Sequence, residues 1–231
     1  MIIVRVMVTT SACYNQPKPT NHSGYIFNPL WGTSMTAIKI SRMNSKLGKI
    51  LNYSTVPVRD CVRCDSCSAD CYALKAYKQY PLVRAAWDGN STAQKDTETL
   101  VTSIVGHIKE SKKAPAMFRI HVAGDFTSQE NADAWAEIAR QCEATTFLAF
   151  TKASMFDYRK VPTNMVIIHS QWVGMDKMNQ SGINAWIEGD ERIPDRHKVC
   201  PGSASEGGVK CDACRYCFQK NIKLDVVFKQ H

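Results

Sequence analysis

The sequence predicts a single α/β domain over residues 1–231, an incomplete parallel (β/α) barrel with a cysteine-rich loop near each end. Three observations predict it. From residue 116 onward, short continuous apolar runs alternate with an amphipathic helical pattern, as in parallel strands covered on both faces. One run ends in the turn Gly124-Asp125-Phe126, where a strand would hand over to a helix. Eight of the ten cysteines fall in two tight groups, at residues 61–71 and 200–217.

The elements follow in chain order. Met1–Val8 is apolar and reads as a strand, residues 11–35 are rich in Pro, Asn, Ser and Gly and read as irregular, and Thr36–Ile40 alternates like a short strand. Residues 41–60 suggest loops. Cys71–Tyr80 begins a helix. Ser91 or Thr92 is placed to cap a helix running to about Glu110, because Leu100, Ile104, Val105 and Ile108 recur at helical spacing. Ala116–Val122 is a strand. Ser128 caps a helix over Gln129–Gln141, with Ala132, Trp135, Ile138 and Ala139 on one face. Thr146–Phe150, Met165–His169, Ala185–Glu188 and Leu224–Phe228 complete the strands.

Hydrophobic content of 44% and charged content of 22% are those of an ordinary globular chain. No apolar run is long enough to span a bilayer, and the opening stretch lacks the layout of a secretory signal, so a cytoplasmic protein without membrane contact is expected. The net charge of +8 is uneven: +6 in residues 1–60, −4 in 116–195, and +4 in 196–231. A basic N-terminal region could hold a nucleic-acid backbone, or it could offset the negative charge of thiolate-bound metal.

Cys61, Cys64, Cys67 and Cys71 are spaced C-x2-C-x2-C-x3-C; Cys200, Cys211, Cys214 and Cys217 are spaced C-x10-C-x2-C-x2-C. Cys13 and Cys142 stand apart, and Cys142 reads as a small core residue. Three chemistries compete. Disulfides suit an exported chain better than a cytoplasmic one. Zinc would pair two knuckles from different segments, such as Cys61/Cys64 with Cys211/Cys214. A [4Fe–4S] cluster is favoured, because a loop with thiolates every third residue can reach several corners of one cube, and the first group has the bacterial ferredoxin spacing. One cluster or two would be held.

The segments CSADCYA (67–73), RIHVAGDF (119–126), FTKA (150–153) and CPG…CDACRYC (200–217) resemble the phage family named for gene product 88, over about Ser45 to Phe218. The resemblance implies phage origin, hence the host cell cytoplasm, and metal binding rather than a particular reaction. It implies that Cys61, Cys67, Cys71, Cys200, Cys211, Cys214 and Cys217 are the family's positions. A more distant resemblance is to radical S-adenosylmethionine (SAM) enzymes, through the order strand, cysteine loop, helix and second strand ending in Gly124-Asp125. It implies SAM as a second cofactor. The family's C-x3-C-x2-C spacing is not matched, and two groups of four thiolates are enough to close each cube without SAM.

His121, Gly124, Asp125 and Lys152 are candidate cofactor-binding residues, since ligand sites in parallel sheets form beyond the carboxyl ends of strands. His169 and Trp172 end the next strand in the same way. For His121, on the same strand face as Arg119, a hydrogen-bonded structural histidine is the competing reading. For Asp125 it is a turn residue. Three functions follow: an iron–sulfur protein for electron transfer or redox sensing, with a host redox protein as partner; a radical-SAM-like enzyme; and a zinc-stabilised protein that binds nucleic acid or a host factor.

Overall fold

A computed structural model of the chain describes residues 38–42, 44–62, 67–172, 182–203 and 208–229. The expected strand at Met1–Val8, the irregular segment 11–35, Cys13 and Cys64 lie outside these residues, as does most of the basic N-terminal region. Everything described belongs to one unit, Met35–His231.

Seven strands form one sheet: β1 (Leu51–Asn52), β2 (Met117–Ile120), β3 (Thr146–Thr151), β4 (Met165–Ser170), β5 (Ile183–Ile187), β6 (His197–Val199) and β7 (Asp225–Phe228), in the order β1-β2-β3-β4-β5-β7-β6. Every pairing between them is parallel. The α/β class is therefore as expected. The sheet is open, with β1 and β6 as unpaired edges apart from an antiparallel bridge of Ser41 to Asn52 on the β1 side, so no barrel is closed among the described residues.

The helices are α1 (Tyr72–Gln79), α2 (Pro81–Ala93), α3 (Thr97–Lys109), α4 (Gln129–Gln141) and the single turn α5 (Cys211–Cys214). Two expectations change here. The stretch after Tyr80 is a separate helix with Pro81 in its first turn, where proline's missing N–H costs nothing. The helix that follows is capped by Asp96, whose carboxylate accepts from the N–H groups of Glu98 and Thr99, and not by Ser91 or Thr92. Ser91 instead lies buried at the end of α2 and donates to Asp60. Thr36–Ile40 is no strand where it is described, at residues 38–40. The cap of α4 is Ser128, accepting from the Asn131 N–H at 3.1 Å.

Strand alternation sorts the core to two faces. Phe118 and Ile120 of β2, Phe147 and Ala149 of β3 and Met165 of β4 face α3 and α4, packing on Leu100, Ile104, Trp135 and Ile138. Leu148, Val166, Ile168 and Ala185 point the other way. Among the described residues no long helix covers that second face. It is closed by Leu47 and Ile50 ahead of β1, and by Phe218, Cys211, Cys217 and Ile222 from the C-terminal cysteine segment. The cysteine segment is thus part of the hydrophobic core.

Candidate cysteine site

The first cysteine loop leaves the carboxyl end of β1. Beyond Asn52 the chain continues beside β2: Tyr53 N–H donates to the Arg119 carbonyl (3.1 Å), Val122 N–H to Tyr53 (3.0 Å) and Thr55 N–H to Ala123 (2.9 Å). Asp60 then ties the loop down. Its carboxylate accepts from the Val56 N–H and the Ser91 hydroxyl, and its carbonyl accepts from the Asp125 N–H at 3.0 Å. Cys61 follows, and Cys71 is the N-cap of α1. Tyr72 begins α1 and donates its hydroxyl to the Val122 carbonyl. Its ring is 71% exposed, yet desolvation raises the phenol's pKa.

The second group is anchored on the segment ahead of β1. Cys211 opens α5, and its N–H donates to the Lys46 carbonyl (3.1 Å); Asp212 N–H donates to Leu47 (3.2 Å), and the Asp212 carboxylate accepts from Lys49 N–H (2.9 Å). Gly48 makes this docking possible. It has φ +72°, and a Cβ there would meet the Asp212 carboxyl at 2.2 Å. Cys200 follows β6, with its N–H on the Val227 carbonyl at 2.8 Å.

The described cysteines are all free thiols, and the seven belonging to the two groups are half-buried. Each group is electrostatically self-contained. Burial first, then Asp125 and the neighbouring Cys67 and Cys71, push the Cys61 thiol up to about 12. Burial, then Cys200, Cys211 and Cys214, do the same to Cys217, with Arg119 opposing. A cationic partner must therefore displace protons to engage these sulfurs. Among the described residues no three His, Cys, Asp or Glu side chains form a group that could hold a single metal ion.

Arg119 lies between the groups. The sequence reading missed it as a site residue; the available signal was one arginine inside the apolar run Met117–Val122. Its guanidinium stacks 4.1 Å over the Phe150 ring, and Nε donates to the Ile120 carbonyl at 3.2 Å. Burial lowers its pKa, while Tyr72, Cys217, Cys211 and Asp125 oppose the shift.

Asp125 and Gly124 have clear structural duties. The Asp125 carboxylate accepts from the Thr151 hydroxyl (2.6 Å), the Lys152 N–H (2.8 Å) and its neighbour Phe126's N–H (2.8 Å), joining the ends of β2 and β3. Burial nonetheless raises its pKa, with these hydrogen bonds acting against the shift. Gly124 has φ +81°, and a Cβ would fall 1.9 Å from the Thr55 Oγ1. Lys152 reaches this end of the sheet through its backbone; its Nζ sits 5.3 Å over the Trp172 ring.

His121 is not the hydrogen-bonded histidine expected on the Arg119 face. A φ of +48° just past the end of β2 turns it away from Arg119 and into the core beside Phe126 (5.1 Å), Tyr53 (5.8 Å) and Trp135 (5.9 Å). Among the described residues neither ring nitrogen has a hydrogen-bond partner. His169 is likewise buried, edge-on to Tyr158 at 5.6 Å with Nδ1 unpartnered. Burial, with Arg119 adding to it, pushes His121 down to about 3. The folded value lies below the unfolded one, so the neutral ring stabilises the fold above pH 6.5, and this stability is lost as pH falls toward 3. Between pH 7 and pH 5 the expected loss from this residue is about 2 kcal/mol. Urea titrations at the two pH values check it: His121→Gln, neutral throughout, should show a smaller difference than the wild type, and an equal difference would refute the assignment.

A groove of about 460 Å³ lined by Val161, Met165, Ile183 and Ile222 lies at the amino ends of β4 and β5. His121, Asp125 and Lys152 lie beyond the opposite, carboxyl ends of β2 and β3.

An open, all-parallel α/β sheet with two separate thiol groups, the second acted on by Arg119, defines a cysteine-rich α/β protein. The family model described as Gene product 88 matches residues 31–189, well over half of the sequence, and the chain belongs to that bacteriophage family. The matched span includes the first cysteine group and ends before the second. Among curated relatives, the Gene 88 proteins of Mycobacterium phage D29 and Mycobacterium phage L5 are each 33% identical over 113 residues, which is 46% of this chain and 44% of the relative. The matched region thus spans less than half the length of those relatives. No solved structure matches. Nothing in these matches extends to radical SAM enzymes. Among the described residues no helix is long and apolar enough to cross a membrane.

Proposed function

We propose that this chain binds one or two [4Fe–4S] clusters through its two cysteine groups and carries electrons in the infected cell, with a host redox protein as partner. The observation that carries the reading is the division of the thiols into two sets, Cys61 interacting with Cys67 and Cys71 and Cys217 with Cys200, Cys211 and Cys214, with Arg119 acting on the second set. Zinc shared by knuckles from both segments would need Cys61 and Cys211 to converge, whereas each interacts with the cysteines of its own group. The donor set fits the cluster: thiolates are the ligands of iron–sulfur centres, and the sequence from Cys61 to Cys71 carries them at short intervals. The cluster would supply one-electron chemistry; the chain supplies the ligands and the fixed charge. SAM fits less well, because Asp125, which would meet its amino group, is already engaged by Thr151 and two backbone N–H groups.

The test is elemental. Protein prepared anaerobically from iron-replete cells should be brown, with a broad visible band and acid-labile sulfide in near-equal ratio to iron. Stoichiometric zinc without sulfide would replace this reading with the zinc-stabilised one.

A further inference from the structure

We infer that Arg119 is the electrostatic regulator of the second cysteine group, a permanent positive charge that raises the reduction potential of the cluster held by Cys200, Cys211, Cys214 and Cys217. The inference rests on the iron–sulfur reading and adds a role for a residue outside the ligand set.

The argument begins with position. Arg119 is the third residue of β2, on the sheet face opposite Phe118 and Ile120. On that face it lies against Phe150, which packs with Cys211, Cys217 and Phe228 over the same core. The guanidinium is therefore held beside the second group by an aromatic platform.

Its bonding is incomplete. Nε is used by the Ile120 carbonyl, while Nη1 and Nη2 donate to no acceptor among the described residues, and no carboxylate forms an ion pair with Arg119. Other well-placed arginines here are paired: Arg59 with Asp60 and Asp88, Arg140 with Glu137, Arg159 with Asp157, Arg192 with Asp190. A half-buried guanidinium with free donors is costly unless an anion faces it. The groups across from it are sulfurs that become anionic on binding metal.

The choice between the two groups also follows from the neighbours. Toward the second group, Arg119 interacts with Cys211 and Cys217 themselves. Toward the first, Tyr72 and Asp125 stand between, and the Asp125 carboxylate offsets part of its charge. Arginine cannot be deprotonated in a protein, so its charge is constant. Reduction adds one electron from an external donor such as dithionite and one negative charge to the cluster, with no bond made or broken. A fixed cation stabilises the reduced form more than the oxidised form and so raises the potential.

The experiment is a redox titration of wild type, Arg119→Gln, Arg119→Lys and Arg140→Gln, followed by electron paramagnetic resonance. Arg140 is exposed on α4 and controls for loss of one surface charge. Arg119→Gln should lower one potential so that, at the wild-type midpoint, the reduced-to-oxidised ratio falls about tenfold, equivalent to 59 mV for one electron. Arg119→Lys should restore most of the shift, and Arg140→Gln should give none. If Arg119→Gln does not fold, Arg119→Met keeps the packing on Phe150 and removes the same charge. Clusters present with unchanged potentials in the neutral variants would overturn the role of Arg119 alone; a wild-type protein without iron and sulfide would overturn the reading beneath it.

Discussion

Cys214→Ala should lose metal and solubility together. Cys214 closes α5, which hangs on the Lys46–Lys49 turn through the Cys211 and Asp212 N–H groups and the Asp212 carboxylate. The same segment contributes Cys211, Cys217 and Phe218 to the core on the sheet face that has no long helix. Ligands from separate segments turn metal-binding energy into folding energy, and within the second group ten residues separate Cys200 from Cys211. A loss of about 5 kcal/mol would lower the melting temperature by roughly 10–20 °C for a domain of this size. Cys71→Ala should lose metal and stability in the same way, because Cys71 is the N-cap residue of the helix that holds Tyr72 against Val122. Calorimetry and iron counts on anaerobic protein decide it. Variants with wild-type melting temperature would show that the cysteines do not staple the fold.

Asp125→Ala should destabilise the fold by about 3–5 kcal/mol, the usual cost of removing one partner from a buried charged network. It strands the Thr151 hydroxyl and the N–H groups of Phe126 and Lys152 at the join of β2 and β3. The fall should appear equally in metal-free protein. Asp125→Asn should lose less, since one oxygen still accepts. If Asp125→Ala melted like the wild type and only metal or ligand binding changed, the residue would be a ligand contact rather than a joint in the scaffold.

The strand pattern and the helix at Gln129–Gln141 were legible because they are local: Ser128 caps, Trp135 and Ile138 recur at helical spacing, and apolar runs of four to six residues mark β3 and β4. The helix from Pro81 was not legible, since proline both breaks helices and starts them, and only the chain's path after Tyr80 decides which. β6 was invisible because its three residues are exposed at a sheet edge and only Val199 among them is apolar. At the site, the cysteines announced themselves by spacing. Arg119 and the turned His121 did not, because the role of the first depends on a segment some 90 residues away and that of the second on a left-handed backbone angle.

The strand order also fixes a sequence of events during synthesis. β7 lies between β5 and β6, so β6 has no neighbour until Asp225–Phe228 has emerged from the ribosome. β1 to β5 can meanwhile pair, leaving the face formed by Leu148, Val166, Ile168 and Ala185 without Phe218 to shield it. At about 5–20 residues per second, translating from Ile187 to Phe228 takes roughly 2–8 seconds. For that interval the nascent chain offers a chaperone a greasy surface, and the thiols of its second group are still in the open. On the iron–sulfur reading a cluster there would be loaded late, in competition with oxidation of sulfurs not yet sheltered by the finished sheet.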